Sequence, residues 1–231
     1  MKVLGIIPAR GGSKGVKNKN IRLIDGEPLI NYAINTAKES KLLTNYIVTS
    51  DDEKILRVAK SSNCLYHNRD LKNAQDDSPI ESVVLEVLQF LKNEQYDLIV
   101  LLQPTAPIRT GKDVDNVISM FLEDEALNNV VSVVELEDIH PARMYEVDDL
   151  KNLKSLNSQH EKEQRQKLSS VYLRNGCIYA ITTKAFLAEK ALILKNKKAY
   201  VMPHETWANI DTERDLLIAE TLVKLWKANK I

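Results

Sequence analysis

Two stretches, residues 98–102 and 130–134, are almost continuously apolar over the length of a single β-strand. A strand with one wet face alternates apolar and polar residues, so an unbroken apolar run calls for cover on both faces, as in a parallel sheet layered by helices. Strand-length apolar runs also occur at residues 3–7, 46–49 and 177–181. Helical periodicity appears between them at residues 29–38, 53–61, 80–91 and 114–122. This spacing accommodates right-handed βαβ crossovers and predicts a three-layer α/β sheet.

The 231 residues, 44% apolar and 28% charged, have the composition of one globular domain. A chain of this size buries roughly 70–75% of the surface its unfolded form exposes, so a stable core requires neither metal nor disulfide. Thirty-two basic residues balance 32 acidic ones, and with zero net charge no global field draws the protein to nucleic acid or a membrane. An anionic ligand must therefore be met by local charge. Cys64 and Cys177 are far apart and have no histidine or second sulfur at ligand spacing, which argues against a zinc site or a disulfide framework and fits a reducing compartment. The apolar run near Met1 is too short for a signal-peptide core and no later stretch is long enough for a membrane span, so a cytoplasmic location is expected. Residues 135–170 are charged and unpatterned, and read either as an excursion from the sheet or as a solvated loop. Thr212 supplies a hydroxyl N-cap to a C-terminal apolar stripe of Leu216, Leu217, Ala219, Leu222, Val223 and Trp226.

The first strand runs directly into Pro8-Ala9-Arg10-Gly11-Gly12-Ser13-Lys14-Gly15-Val16-Lys17-Asn18-Lys19-Asn20. Ligands of parallel α/β sheets bind outside the carboxyl ends of the strands, where this loop begins. Its glycines let backbone amides approach an anion, and Arg10, Lys14, Lys17 and Lys19 supply the local positive charge. The loop reads as a triphosphate cradle, with a plain basic surface loop as the alternative. A Walker loop needs Gly-Lys followed by Ser or Thr, whereas here the order is Ser13-Lys14-Gly15, and no G-x-G-x-x-G occurs.

Three further segments accompany this loop: Gln103-Pro104-Thr105-Ala106-Pro107-Ile108-Arg109, Asn175-Gly176-Cys177-Ile178-Tyr179 and Asn209-Ile210-Asp211-Thr212-Glu213-Arg214-Asp215. Together, in this order and over nearly the whole length, the four resemble the motifs of the CMP-sialic acid synthetase (N-acylneuraminate cytidylyltransferase) family. The resemblance implies a mixed, mostly parallel sheet of the nucleotidyltransferase (Rossmann-like, nucleotide-diphospho-sugar transferase) type with an inserted dimerisation segment at about residues 135–170. It implies a magnesium-dependent reaction joining CTP to a nine-carbon 2-keto sugar acid, and a homodimer with shared active sites.

By resemblance, Arg10, Gly11, Gly12, Ser13 and Lys14 hold the triphosphate, Lys19 stands near the developing charge and Asn20 reads the cytosine or ribose side. Arg69 and Ser78 match nucleotide-contacting positions, although Ser78-Pro79 is also a helix-start signal. Gln103 follows a buried strand, so its amide either faces the sugar across the sheet edge or bonds its own turn. Arg109 is either a ligand contact or part of a structural ion pair. Arg165 matches an arginine that reaches the sugar carboxylate from the neighbouring subunit, a task that suits a bidentate guanidinium; alternatively it is one charge in a charged run. Arg174 falls near a position where some members carry a second arginine.

Asp211 is the expected magnesium ligand, since magnesium prefers hard carboxylate oxygens; its alternative role is to cap the following helix. Position 209 is usually a second aspartate in the family and is Asn209 here, which leaves an amide oxygen without charge. His67, His140, His160 and His204 form no cluster with a serine or cysteine in a nucleophile motif, so a single displacement at phosphorus is expected. Legionaminic and pseudaminic acids are alternative substrates, and the eight-carbon branch of the family departs from the Gln103-Pro104-Thr105 pattern. A nucleotide-binding module with weakened catalysis is the alternative that Asn209 suggests; Lys14, Lys19, Gln103, Arg165 and Asp211 argue against it.

Overall fold

The computed structural model describes residues 1–92, 94–137 and 139–231. Along the chain run β1 (Val3–Pro8), the short strands β2 (Leu23–Ile24) and β3 (Glu27–Pro28), α1 (Leu29–Glu39), β4 (Asn45–Ser50), α2 (Glu53–Ser61) and β5 (Leu65–Asn68). There follow α3 (Ile80–Phe90), β6 (Leu98–Leu101), α4 (Gly111–Glu123), β7 (Asn129–Leu136), β8 (Tyr145–Val147) and β9 (Leu153–Ser155). The last elements are β10 (Val171–Thr182), α5 (Thr183–Glu189), β11 (Lys198–Met202) and α6 (Glu213–Lys227).

Seven strands form the central sheet in the order β11-β7-β10-β6-β1-β4-β5, and only β10 runs antiparallel to its neighbours. The two near-continuous apolar runs are β6 and β7, covered on both faces as their composition requires. On one face Ile30, Ala33 and Ile34 of α1, Ile55 of α2, and Val114 and Ile118 of α4 join the core of the sheet. On the other, Val84 and Val87 of α3 and Phe186 of α5 pack with Leu4, Ile6 and Leu101. A further shell lies outside α1, where Leu29 and Tyr32 meet Leu216, Ala219 and Val223 of α6. Helix α1 is therefore buried on two sides, which explains its run of inward residues.

Local chemistry sets several boundaries. Thr110 and Asp113 form a capping box at the start of α4, and Thr212 and Asp215 form one at the start of α6. Asp25 and Gly26, both at positive φ, make the two-residue turn of the β2–β3 hairpin. Burial pushes the thiols of Cys64 and Cys177 up to about 11, so both are inert packing groups at neutral pH. Among the described residues no helix is long and apolar enough to cross a membrane.

The expected strands and helices are present, with differences at the sheet edges. Both edge strands, β5 and β11, lack an apolar pattern because only His67 and Met202, respectively, are buried in them. Helix α5 has seven residues, too few for a periodic signal. Strand β10 starts six residues before the apolar run at residue 177, because its first residues pair with the outer end of β7 beyond the core. Residues 135–170 are not a bare loop: β7 continues through Leu136, and the β8–β9 hairpin and 3-10 turns at Pro141–Arg143 and Arg165–Lys167 give the segment its own structure.

Phe186 is fully buried against the face that carries α3. Phe186→Ala is expected to cost about 3–5 kcal/mol in urea unfolding, the range for a buried aromatic leaving a cavity; a loss below about 1 kcal/mol would contradict this packing.

Candidate active site

The chain leaves β1 toward β4 on one side of the sheet and later returns to place β6 on the other, so the loops after β1 and β6 diverge at their carboxyl ends. Such a switch point is where α/β sheets hold ligands. A cleft of about 450 Å³ opens there. Arg10, Ser13, Lys14, Lys19 and Asn20 line it from the β1 loop, and Arg69 and Ser78 from the segment after β5. Gln103 contributes from the β6 loop, and Asn209 and Asp211 from the loop before α6.

These loops are knitted by backbone contacts. The Ile210 amide donates to the Thr105 carbonyl at 2.9 Å. Lys19 Nζ donates to the Ile210 carbonyl at 2.6 Å and sits 3.3 Å from Asp211 Oδ1. Gly15 packs so tightly on the Asp211 carbonyl that a Cβ would stand 1.9 Å from the oxygen, which requires glycine there. Buried Asn20 donates through Nδ2 to the Arg10 carbonyl at 2.9 Å and so fixes the chain beneath the cations. Lys19 is thus an anchored charge, its side chain 13% exposed, whereas Lys14 is 81% exposed.

Arg10 Nη1 and Lys14 Nζ each lie 2.7 Å from an oxygen of Asp76. Lys14 first, and then Arg10, hold the Asp76 carboxyl below its usual range. Arg69 is buried and donates to the Thr49 carbonyl at 2.7 Å; desolvation lowers its pKa against the pull of Asp51 and Glu86. Ser78 Oγ donates to the Lys72 carbonyl and accepts from the Gln75 amide, so this hydroxyl orders its own loop. The Gly11 amide donates to Asp51 Oδ1 at 2.9 Å, and neither Gly11 nor Gly12 lines the cleft.

On the opposite wall, the Gln103 amide has no hydrogen bond among the described residues, while its backbone carbonyl accepts from Arg109 at 2.8 Å. The turn role is therefore taken by the carbonyl, and the side chain stays available. Arg109 is 2% exposed, and its Nη1 also donates to the carbonyls of Ala106 at 2.8 Å and Cys177 at 3.2 Å. It is neither a ligand contact nor, among the described residues, one half of an ion pair; it is a buried clamp between the β6 loop and β10. Burial lowers its pKa to about 10, which leaves it charged at neutral pH.

Four residues of β10, Asn175 to Ile178, lie opposite the single residue Ser132 of β7, a bulge with three extra residues. Ser132 Oγ accepts from the Ile178 amide at 2.7 Å and contacts Asn175 Oδ1 at 2.6 Å. Gly176, at φ 76°, thereby faces the cleft wall, with a Cβ position 3.3 Å from Gln103 Oε1 and 3.5 Å from Asn209 Oδ1. A side pocket of about 190 Å³ continues past Gln103, lined by Ile80, Glu81, Arg174, Tyr179 and Ile193, which gives Arg174 its place.

Arg165 opens the 3-10 turn Arg165–Lys167 and does not line this chain's cleft. Asp211 is 67% exposed at the mouth and accepts from Asn209 Nδ2 at 2.8 Å. Capping of α6 belongs to Thr212, which leaves the Asp211 carboxylate free of that role. Among the described residues no three His, Cys, Asp or Glu side chains gather into a metal cage. The Asp211 carboxylate and the Asn209 amide are hard oxygen donors that would suit magnesium, which would supply charge neutralisation to a triphosphate. Sequence reading missed Asp76, Asn73, Gln75 and Thr105 of the lining, and the clamp role of Arg109. Thr105 and Arg109 both lie within the Gln103–Arg109 motif, whereas no motif marks Asn73, Gln75 or Asp76.

The chain matches a family model described as cytidylyltransferase over residues 4–223. It is 31% identical to a pseudaminic acid cytidylyltransferase of Campylobacter jejuni over 97% of both chains. It is 29% identical to an N-acylneuraminate cytidylyltransferase of Escherichia coli, spanning all of this chain and 54% of that one. The fold matches the structure of a CMP:2-keto-3-deoxy-manno-octonic acid synthetase complexed with CTP, with a TM-score of 0.72 at 17% identity, covering 98% of this chain and all of the other. The loop after β1 and the switch-point cleft thus sit in a chain that belongs to the cytidylyltransferase family.

Proposed function

We propose that this enzyme couples CTP to a nine-carbon 2-keto sugar acid of the sialic type, N-acetylneuraminate or a pseudaminic or legionaminic relative, giving the CMP-sugar and pyrophosphate. One observation carries this reading: a single cleft at the switch point has three cations on one wall and a free amide beside a side pocket on the other. Similarity to the Campylobacter jejuni pseudaminic acid enzyme, at 31% identity over 97% of both chains, supports the nine-carbon class.

In this reading the sugar hydroxyl attacks the α-phosphorus in line, and the bond to the pyrophosphate oxygen breaks. Arg10 and Lys14 meet the outer phosphates. Lys19, fixed by the Ile210 carbonyl, is a preorganised charge beside the reacting phosphate, where stabilisation is worth most because no reorganisation is needed. Gln103 orients the sugar, and Arg174 and Tyr179 bound the side pocket that takes its substituents. Asp211, with Asn209 beside it, holds magnesium, which neutralises triphosphate charge when bound.

Residues 135–170 expose Val147, Leu150, Leu153 and Leu156, and the outer end of β10 exposes Tyr172. An apolar surface of this kind suits a subunit contact, so we assign it to a homodimer in which Arg165 completes the partner's sugar site. A cytoplasmic location agrees with the nucleotide substrate.

Incubation with magnesium, each nucleoside triphosphate and a panel of 2-keto sugar acids tests the reaction. Acid-dependent pyrophosphate release with CTP and not ATP is expected; equal rates with ATP would overturn the cytidylyl reading. Mixing Arg165→Ala with Asp211→Ala protein is expected to restore activity through heterodimers carrying one intact site. No recovery in a mixture shown to exchange subunits would remove Arg165 from the partner's site.

A further inference from the structure

Asp76 stands across the cleft from the basic loop, in the segment between β5 and α3. Its two oxygens divide between two cations: Oδ1 lies 2.7 Å from Arg10 Nη1, and Oδ2 lies 2.7 Å from Lys14 Nζ. Arg10 Nη1 also donates to the Gln75 carbonyl at 3.3 Å. Among the described residues neither cation has another carboxylate partner. The segment is held in place independently of these contacts. Ser78 Oγ bridges the Lys72 carbonyl and the Gln75 amide, while Glu86 of α3 accepts from the Asp70 amide and the Asn73 side chain. A doubly oxygenated anion bridging Arg10 and Lys14 is also the arrangement that one phosphate group of a nucleotide would make.

We infer that Asp76 is a specificity-determining residue that competes with polyphosphate for Arg10 and Lys14. It releases both cations when a triphosphate enters and takes them again as pyrophosphate leaves. This rests on the reading of Arg10 and Lys14 as the polyphosphate ligands. Both pairs are partly exposed and hence weak, so a ligand with several charges displaces Asp76 readily. A single phosphate offers less charge against the same competitor, so Asp76 favours triphosphates over monophosphates.

Calorimetric titration with inorganic tripolyphosphate, without divalent metal, tests the inference. Asp76→Asn is expected to tighten the dissociation constant roughly three- to tenfold, the effect of removing two partly exposed ion pairs. Asp77→Asn, the same charge change one residue away, is expected to alter it less than twofold. Adding Asp76→Asn to an Arg10→Ala/Lys14→Ala protein is expected to bring no tightening. Unchanged or weaker binding by Asp76→Asn, or equal tightening by Asp77→Asn, would overturn the inference. If Arg10→Ala/Lys14→Ala binds tripolyphosphate as tightly as the unaltered protein, the polyphosphate reading of those cations fails as well, a result distinct from failure at Asp76 alone.

Discussion

The guanidinium of Arg109 is a buried charge that the fold solvates with backbone. Its Nη1 bonds the carbonyls of Gln103, Ala106 and Cys177, and its Nε and Nη2 are buried without partners among the described residues. Burying a charge is costly unless dipoles replace the lost water, and these carbonyls supply part of that replacement. The same contacts join the turn after β6 to the bulge in β10, the two pieces of backbone that shape the cleft wall opposite the basic loop. Gln103 can present a free amide because its carbonyl is already committed. Through the Thr105 carbonyl, this wall is joined to the Ile210 amide and hence to Asp211 and Lys19.

Charge in this protein is arranged locally rather than globally. With 32 basic and 32 acidic residues, attraction for a polyanion comes from one loop, and Asp76 already balances two of its cations. Two of the cations at the cleft are therefore already paired within the chain. Lys19 differs: it is held by the Ile210 carbonyl, outside the segment that carries Asp76, so its position does not depend on that carboxylate.

What was legible in the sequence followed from burial and from local motifs. Strands β6 and β7 announce themselves because both faces are covered, and Thr212 announces a helix start because its capping partner lies three residues away; the same device at Thr110 went unread, and α4 begins three residues before its apolar pattern. The edge strands β5 and β11 did not, since a half-exposed strand with one buried residue has no period to detect. Arg10, Lys14, Gln103 and Asp211 belong to motifs, and the fold brings them into one cleft. Asp76 belongs to none; its meaning comes from an approach between segments more than 60 residues apart, which no local pattern encodes. Arg109 was noticed but its role was not, because three backbone carbonyls leave no trace in residue identity.

A crystal structure with CTP and magnesium tests the central claim, that the switch-point cleft is the nucleotide site. The account predicts triphosphate density within hydrogen-bond reach of Arg10, Lys14 and Lys19, with Asp211 facing the metal-bound phosphates and Gln103 open toward the side pocket. Density for the triphosphate elsewhere on the molecule, or a bound nucleotide whose phosphates point away from the loop after β1, would contradict it.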